Sequence, residues 1–197
     1  MAIPIAIIAG EPNSISSEII FKSWKLRKQY AHKPIIIIGS IRLLNLQKKK
    51  LKYRIKIKEI KSNFSSKDLS GDKIPIYNVD YSQKKPFEKI SGKSNKYIFR
   101  CFDIATKLIQ SKKIIGIINC PVSKEFLFKN KYGGVTEFLS KKAGVEGKEV
   151  MLIYNKKLST SPLTTHIPLS QVSNKISKSK IIKKIKTICN FYRKNFK

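Results

Sequence analysis

Apolar residues recur along this chain in two periods. Short β-branched runs stand at Ile3 to Ala9, Pro34 to Ile38, Ile74 to Val79 and Ile114 to Ile118. Runs of this length, bounded by Gly, Pro or Asn, predict strands. Those at Ile3, Pro34 and Ile114 are expected to be covered on both faces, as in a parallel sheet. Tyr53, Ile55, Ile57 and Ile60 nearly alternate with basic residues, which predicts a half-exposed strand. Helical spacing appears between the runs. One helix is expected from a Ser14 or Ser16 cap to about Arg27, with Ile15, Ile19, Ile20 and Trp24 on one face. Others are expected over Ile41 to Leu51 and over Gly92 to Ser111, the latter burying Ile98, Phe102, Ala105 and Ile109. Lys61 to Lys73 is rich in Ser, Lys and Asp and is expected to be a mobile surface loop. Tyr81 to Lys89, broken by Pro86, reads as a second loop.

Beyond Gly134 the pattern predicts a helix from Glu137 to Ala143, then strands over Lys148 to Tyr154 and Lys156 to Leu163. A short helix over Ser170 to Ile176 follows. The last helix, Lys178 to Asn195, is capped by Ser177 and turns Ile181, Ile182, Ile185, Ile188 and Cys189 inward. There are no internal repeats. Strands alternating with helices place the chain in the α/β class. The expectation is a mostly parallel sheet flanked by helices, forming a single α/β region over residues 1–197.

Composition narrows this picture only in part. With 197 residues and 41% hydrophobic content the chain can bury a real core. No apolar run approaches the roughly 18–20 residues that cross a membrane. The first strand starts at once, without a basic segment or cleavage site, so no signal peptide is expected. The three cysteines, Cys101, Cys120 and Cys189, are odd in number and have no metal-like spacing. They fit reduced thiols in a cytoplasmic protein. The formal net charge of +30 raises the question of nucleic acid. The basic residues are nearly all lysines spread along the chain, and no nucleic-acid motif accompanies them, so solvated lysine is the preferred reading. Such a charge still attracts anions, phosphorylated substrates included.

Candidate chemistry concentrates between Ile114 and Phe138. Asn119-Cys120-Pro121 stops the strand, and Val122-Ser123-Lys124 brings a hydroxyl and an ammonium just past its carboxyl end, where open α/β sheets bind ligands. Lys124 is either an anion partner or one more solvated lysine. Gly133-Gly134 permits a tight turn or a close approach. Thr136 either contacts a phosphate at a helix start or caps that helix, and Glu137 bonds near the same start. Glu11, in Gly10-Glu11-Pro12 after the first strand, either faces the cleft or holds the turn. Cys120 reads as a small buried hydrophobe. No G-x-G-x-x-G fingerprint is present.

Three stretches in order, Gly10-Glu11-Pro12-Asn13-Ser14-Ile15, Pro121-Val122-Ser123-Lys124 with Gly134-Val135-Thr136-Glu137-Phe138, and Thr164-Thr165-His166-Ile167-Pro168-Leu169, resemble the 4-hydroxythreonine-4-phosphate dehydrogenase family of vitamin B6 biosynthesis. The resemblance spans Ile3 to about Ile188 and covers the amino-terminal part of the family's protein. It implies a part of the two-lobed fold of isocitrate and isopropylmalate dehydrogenases. It also implies NAD-dependent, metal-assisted oxidation of 4-phosphooxy-L-threonine, followed by decarboxylation to 3-amino-2-oxopropyl phosphate. The implied cofactors are NAD and a divalent metal of the zinc, magnesium or cobalt class. The implied partners are a small phosphorylated substrate and a second copy of the chain, or a complementing carboxy-terminal chain.

By the same resemblance His166 aligns with a metal-binding histidine and Thr136 with a substrate-binding threonine. Val135 stands where many members have a substrate-binding histidine, which removes a polar contact. Lys124 is the catalytic candidate. No NAD-contacting residue is assigned. The only other histidine, His32, has no ligand signature. The rival readings are a non-catalytic remnant or one half of a split enzyme, and then a basic nucleic-acid-binding protein.

Overall fold

The computed structural model describes residues 3–30, 33–129 and 131–195; His32 lies outside them. The chain forms two compact units that divide after Lys129.

The first unit is built on a five-stranded sheet in which every pair is parallel, in the order β3-β4-β2-β1-β5. The strands are β1 (Ile5–Ile8), β2 (Ile35–Gly39), β3 (Ile57–Ile60), β4 (Ile74–Asn78) and β5 (Gly116–Asn119). Parallel neighbours require crossovers. Here these are α1 (Ser16–Lys25) between β1 and β2, α2 (Ile41–Lys50) after β2, and α3 (Asn95–Gln110) between β4 and β5. The short α4 (Lys124–Phe128) follows β5. Three consecutive residues of β2, Ile36, Ile37 and Ile38, are buried, which requires cover on both faces of the sheet. That cover comes from Ile20, Phe21 and Trp24 of α1, Leu43 and Leu44 of α2, and Tyr97, Ile98, Cys101, Phe102, Ala105 and Leu108 of α3. The Ser40 hydroxyl caps α2 by accepting from the Leu43 N–H at 3.2 Å.

Several expectations need correction here. The Ile114 to Ile118 run is not a doubly covered strand. β5 lies at the sheet edge and pairs only with β1, so Ile115 is 59% and Ile118 52% exposed. On α1 the buried face rotates away from Ile15 and Ile19, which are exposed, onto Ser16, Ser17, Ile20, Phe21 and Trp24. The residue before α1 is Ile15, whose side chain makes no cap, and the Ser14 hydroxyl accepts from the Ser16 N–H at 3.2 Å. On α3 it is Leu108, not Ile109, that completes the apolar stripe. Residues 61–73 form an exposed segment holding one 3-10 turn, Ser66–Leu69, closed by reciprocal bonds between Ser65 and Asp68.

The second unit carries α5 (Val135–Lys142), α6 (Val172–Lys175) and α7 (Lys178–Asn195). The strands expected over 148–154 and 156–163 do not form among the described residues. One antiparallel bridge, Ile153 with Thr160, is all the pairing present. The intervening Asn155–Ser159 hydrogen bonds close a turn, but no third strand extends the pair. The stripe expected to turn inward on α7 is also corrected: no residue of that helix is buried. Phe138 is the only large apolar side chain buried among the described residues after 130.

The carboxyl edge of the sheet is locked by close backbone contact. Gly10 has φ +70°, and a Cβ there would meet the Pro121 carbonyl oxygen at 2.5 Å. The Glu11 N–H donates to that same carbonyl at 2.9 Å. We therefore expect Gly10→Ala to lower stability by at least the ~1–2 kcal/mol that left-handed backbone costs an L-residue, with the clash in addition. Urea unfolding checks this, and an unchanged midpoint would show that the contact is not constraining.

Candidate functional site

The loops after β1 and β5 meet at the carboxyl edge of the sheet, where the sequence places its first two motifs. Glu11 is 2% exposed. Its carboxylate accepts from the Ser94 hydroxyl at 2.8 Å and from the Asn13 N–H at 3.2 Å. A carboxylate buried this deeply is retained because its oxygens are hydrogen-bonded, so Glu11 holds the turn. Cys120, at the end of β5, is buried, and burial pushes its thiol up to about 11; the same cause pushes Cys101 up to about 12. Lys124 is the first residue of α4 and is exposed.

The remaining candidates belong to the second unit. Gly134, in extended conformation, precedes α5, and Val135 is its first residue. Thr136 is therefore the second residue of the helix, not its cap, and it is exposed. Its side chain opens onto a cleft of about 370 Å³ that Glu137, Glu149, Thr164, Thr165 and Lys184 also line. Lys184 reaches in from α7, its ammonium donating to the Pro162 carbonyl at 2.9 Å. One carboxylate oxygen each of Glu137 and Glu149 is buried without a hydrogen-bond partner among the described residues. Hydroxyls, cations and unpaired carboxylate oxygens around one cleft suit a small ligand bearing both an anionic and a donor group.

His166 sits at the neck of the Thr164-Thr165-His166 segment. Its φ is +56°, a left-handed conformation uncommon outside glycine that it shares with Lys52, Lys112 and Lys129. Its Nε2 lies 3.8 Å from Glu137 Oε1, too far for a hydrogen bond and within ion-pair reach when the imidazole is protonated. Gly133 packs flat on the ring: a Cβ there would meet His166 Cδ2 at 3.2 Å. An imidazole and a carboxylate are suitable metal donors. No group of three His, Cys, Asp or Glu side chains that would hold a metal exists among the described residues. The donors present do not complete a site.

The cleft thus unites Thr136 and Glu137 with Thr164 and Thr165, while His166 does not line it and approaches it only through Glu137. Glu149 and Lys184 escaped sequence reasoning, because neither stands in a motif and each reads as a solvated charge. At pH 8 we expect iodoacetamide to modify Cys189 readily and to reach Cys101 and Cys120 only on unfolding, since the thiolate is the reactive form. Peptide mass mapping checks it; early labelling of Cys120 would show that the β5 end is open.

Residues 31–197 match the family described as Pyridoxal phosphate biosynthetic protein PdxA. The chain is 32% identical over 197 residues to the 4-hydroxythreonine-4-phosphate dehydrogenase of Sulfurihydrogenibium sp. and 30% identical to that of Aquifex aeolicus, in each case over 98% of this chain and 59% of the relative. The crystal structure of a 4-hydroxythreonine-4-phosphate dehydrogenase from Burkholderia phymatum superposes with TM-score 0.81 at 25% identity, covering 94% of this chain and 57% of that one. The chain therefore spans less than two thirds of the length of these relatives. With the second and third motif stretches inside residues 31–197, and the first within the span aligned to the relatives, the chain belongs to the PdxA family of pyridoxal phosphate biosynthetic proteins.

Proposed function

We propose that this chain supplies part of an NAD-dependent, metal-assisted dehydrogenase acting on 4-phosphooxy-L-threonine in pyridoxal phosphate biosynthesis. The observation that carries the reading is the cleft that places Thr136, Thr164 and Thr165 beside the Glu137–His166 pair. Relatives named for this dehydrogenase activity support it. In this reading Thr136 donates its hydroxyl to the substrate's phosphate or carboxylate, and Lys184 and the general positive field favour the anion. His166 contributes one donor toward the divalent metal; no complete donor set and no NAD contact is assigned among the described residues. Lys124, in the first unit, stands apart from this cleft as a separate candidate partner for an anion. Val135, half-buried at the start of α5, offers only an apolar surface where many members use an imidazole.

Among the described residues the second unit buries one large apolar side chain, Phe138, and no set of three metal donors is present. The 197-residue chain alone is thus expected to show no NADH formation at 340 nm with saturating zinc, NAD and 4-phosphooxy-L-threonine. Catalytic parts that act as a unit fail together when several are missing. Robust turnover by the chain alone would overturn the reading. In an active mixture with the remaining part of a full-length relative, Thr136→Val is expected to raise KM by roughly tenfold or more, because a hydrogen bond to a charged group is worth about 1.5–3 kcal/mol. Its Tm should barely move, since Gly134 and not Thr136 stands at the helix cap. A large fall in Tm with unchanged KM would remove Thr136 from the site. In the same mixture His166→Ala should weaken zinc binding, measured by titration calorimetry, by at least the roughly 10–100-fold that loss of even an outer-shell partner costs. Equal affinity would remove His166 from the donor set.

A further inference from the structure

The first unit carries a concave surface of its own that the functional reading leaves unused. β2 and β4 end side by side, with Gly39 paired to Asn78, and two cavities open at the segments that follow them. One, of about 760 Å³, is lined by Arg42, Asn45 and Lys49 of α2 and by Ser82, Gln83 and Lys84 of the loop after β4. The three α2 positions fall on one helical face. The other cavity, of about 460 Å³, is lined by Asn78, Asp80 and Tyr81. Arg42 and Ser82 line both, so the two are continuous. Open α/β sheets bind ligands in this place, beyond the carboxyl ends of their strands.

The two cavities differ in chemistry. Arg42, Lys49 and Lys84 are exposed, and none forms an ion pair with a carboxylate among the described residues. Three cations around one cavity favour a ligand with more than one negative charge, and a guanidinium grips phosphate oxygens in pairs. The smaller cavity holds the Asp80 carboxylate, which accepts from Asn78 Nδ2 at 3.3 Å. It also holds the Tyr81 ring, packed on Tyr97 with centroids 4.8 Å apart. A carboxylate accepts from ribose hydroxyls, and an aromatic ring offers a face to a base.

The wall is preformed, which lowers the ordering cost of binding. The Ser40 hydroxyl donates to the Tyr81 carbonyl at 2.8 Å. Gln83 Nε2 donates to Asn13 Oδ1 and to the Lys85 carbonyl, both at 2.9 Å. The Glu88 carboxylate is engaged by the N–H groups of Lys84 at 3.1 Å and Lys85 at 3.3 Å. With its amide nitrogen committed, Gln83 leaves Oε1 without a partner among the described residues, an unmet acceptor in the wall.

We infer that the two cavities together bind a nucleoside diphosphate. Arg42, Lys49 and Lys84 hold its phosphates, Asp80 its ribose, and Tyr81 packs against its base. This chemistry belongs equally to a free nucleotide and to one half of a dinucleotide. The inference rests on the first unit alone and its test involves no turnover, so its failure would leave the functional reading standing.

The test is titration calorimetry on the 197-residue chain at about 150 mM salt, where charges more than about 8 Å apart are largely screened. ADP, pyrophosphate and NAD are titrated separately. We expect ADP to bind more tightly than pyrophosphate, and Arg42→Ala to weaken ADP binding by roughly tenfold or more. Lys107→Ala, at an exposed position of α3, removes the same charge and should leave ADP affinity unchanged. Asp80→Ala should weaken ADP and not pyrophosphate, whereas loss of a negative charge alone would strengthen both. All three side chains are exposed, and circular dichroism checks that the variants keep the fold. NAD binding that falls together with ADP binding in Arg42→Ala makes the source a dinucleotide. ADP binding without NAD binding makes it a free nucleotide. Either upholds the site. Absence of ADP binding overturns it, as does equal weakening by Arg42→Ala and Lys107→Ala. Equal ADP and pyrophosphate affinities, both indifferent to Asp80→Ala, also overturn it, because they reduce the binding to attraction by positive charge.

Discussion

The first unit depends on a backbone approach that only glycine allows. At Gly10 the chain leaves β1 in a left-handed conformation and passes so close to Pro121 that a single methyl group would overlap its carbonyl. The Pro121 carbonyl answers by accepting from the Glu11 N–H, and the Ser16 hydroxyl approaches it at 3.4 Å. Glu11 then sends its carboxylate inward to Ser94, at the approach to α3. Gln47 of α2 reinforces the same corner by donating to the carbonyls of Pro12 at 2.6 Å and Pro86 at 3.0 Å. The loop after β1, the loop after β5, the start of α3 and the middle of α2 are thus tied by buried polar groups. Each of these groups is costly to bury unless satisfied. This corner fixes the carboxyl edge from which α4 and Lys124 begin.

Much of that unit was legible because its physics is local. Ile36 to Ile38 can be apolar in succession only where both faces of a sheet are covered, and the structure covers them. The same logic misleads at β5. A run of isoleucines looks identical at the centre and at the edge of a parallel sheet, and position in the strand order is not written in the run itself. Ile118 is exposed because no strand follows on its outer side among the described residues, not because its sequence differs from that of β2. The face of α1 shifted for a related reason. Ser16 and Ser17 can be buried when the first turn packs under the loops, and periodicity counts only apolar side chains.

The site was legible in its motifs and opaque in its surroundings. Thr136, Glu137 and His166 stand in short ordered patterns, and the fold brings the last two within 3.8 Å although 29 positions separate them. A shift of one residue at the helix start still changes the meaning of Thr136. A cap would use its hydroxyl internally, whereas the second helical position leaves it facing the cleft. Glu149 and Lys184 carry no pattern at all. Only the third dimension separates them from the many solvated charges of this chain.

The second unit carries the site on little fully buried apolar surface. Burying one large side chain contributes about 1.5–3 kcal/mol, while fixing each residue's backbone costs about 1–2 kcal/mol. Phe138 is the only large apolar side chain fully buried there among the described residues, so the order of the unit rests mainly on half-buried side chains such as Leu139, Leu152 and Ile188. Any polypeptide that binds the ordered form selectively stabilises it by mass action. The left-handed backbone at His166 gains from the same linkage. Binding at Thr136, Glu137 and His166 and order in the unit that carries them are therefore linked, because a ligand held by their ordered arrangement stabilises that arrangement.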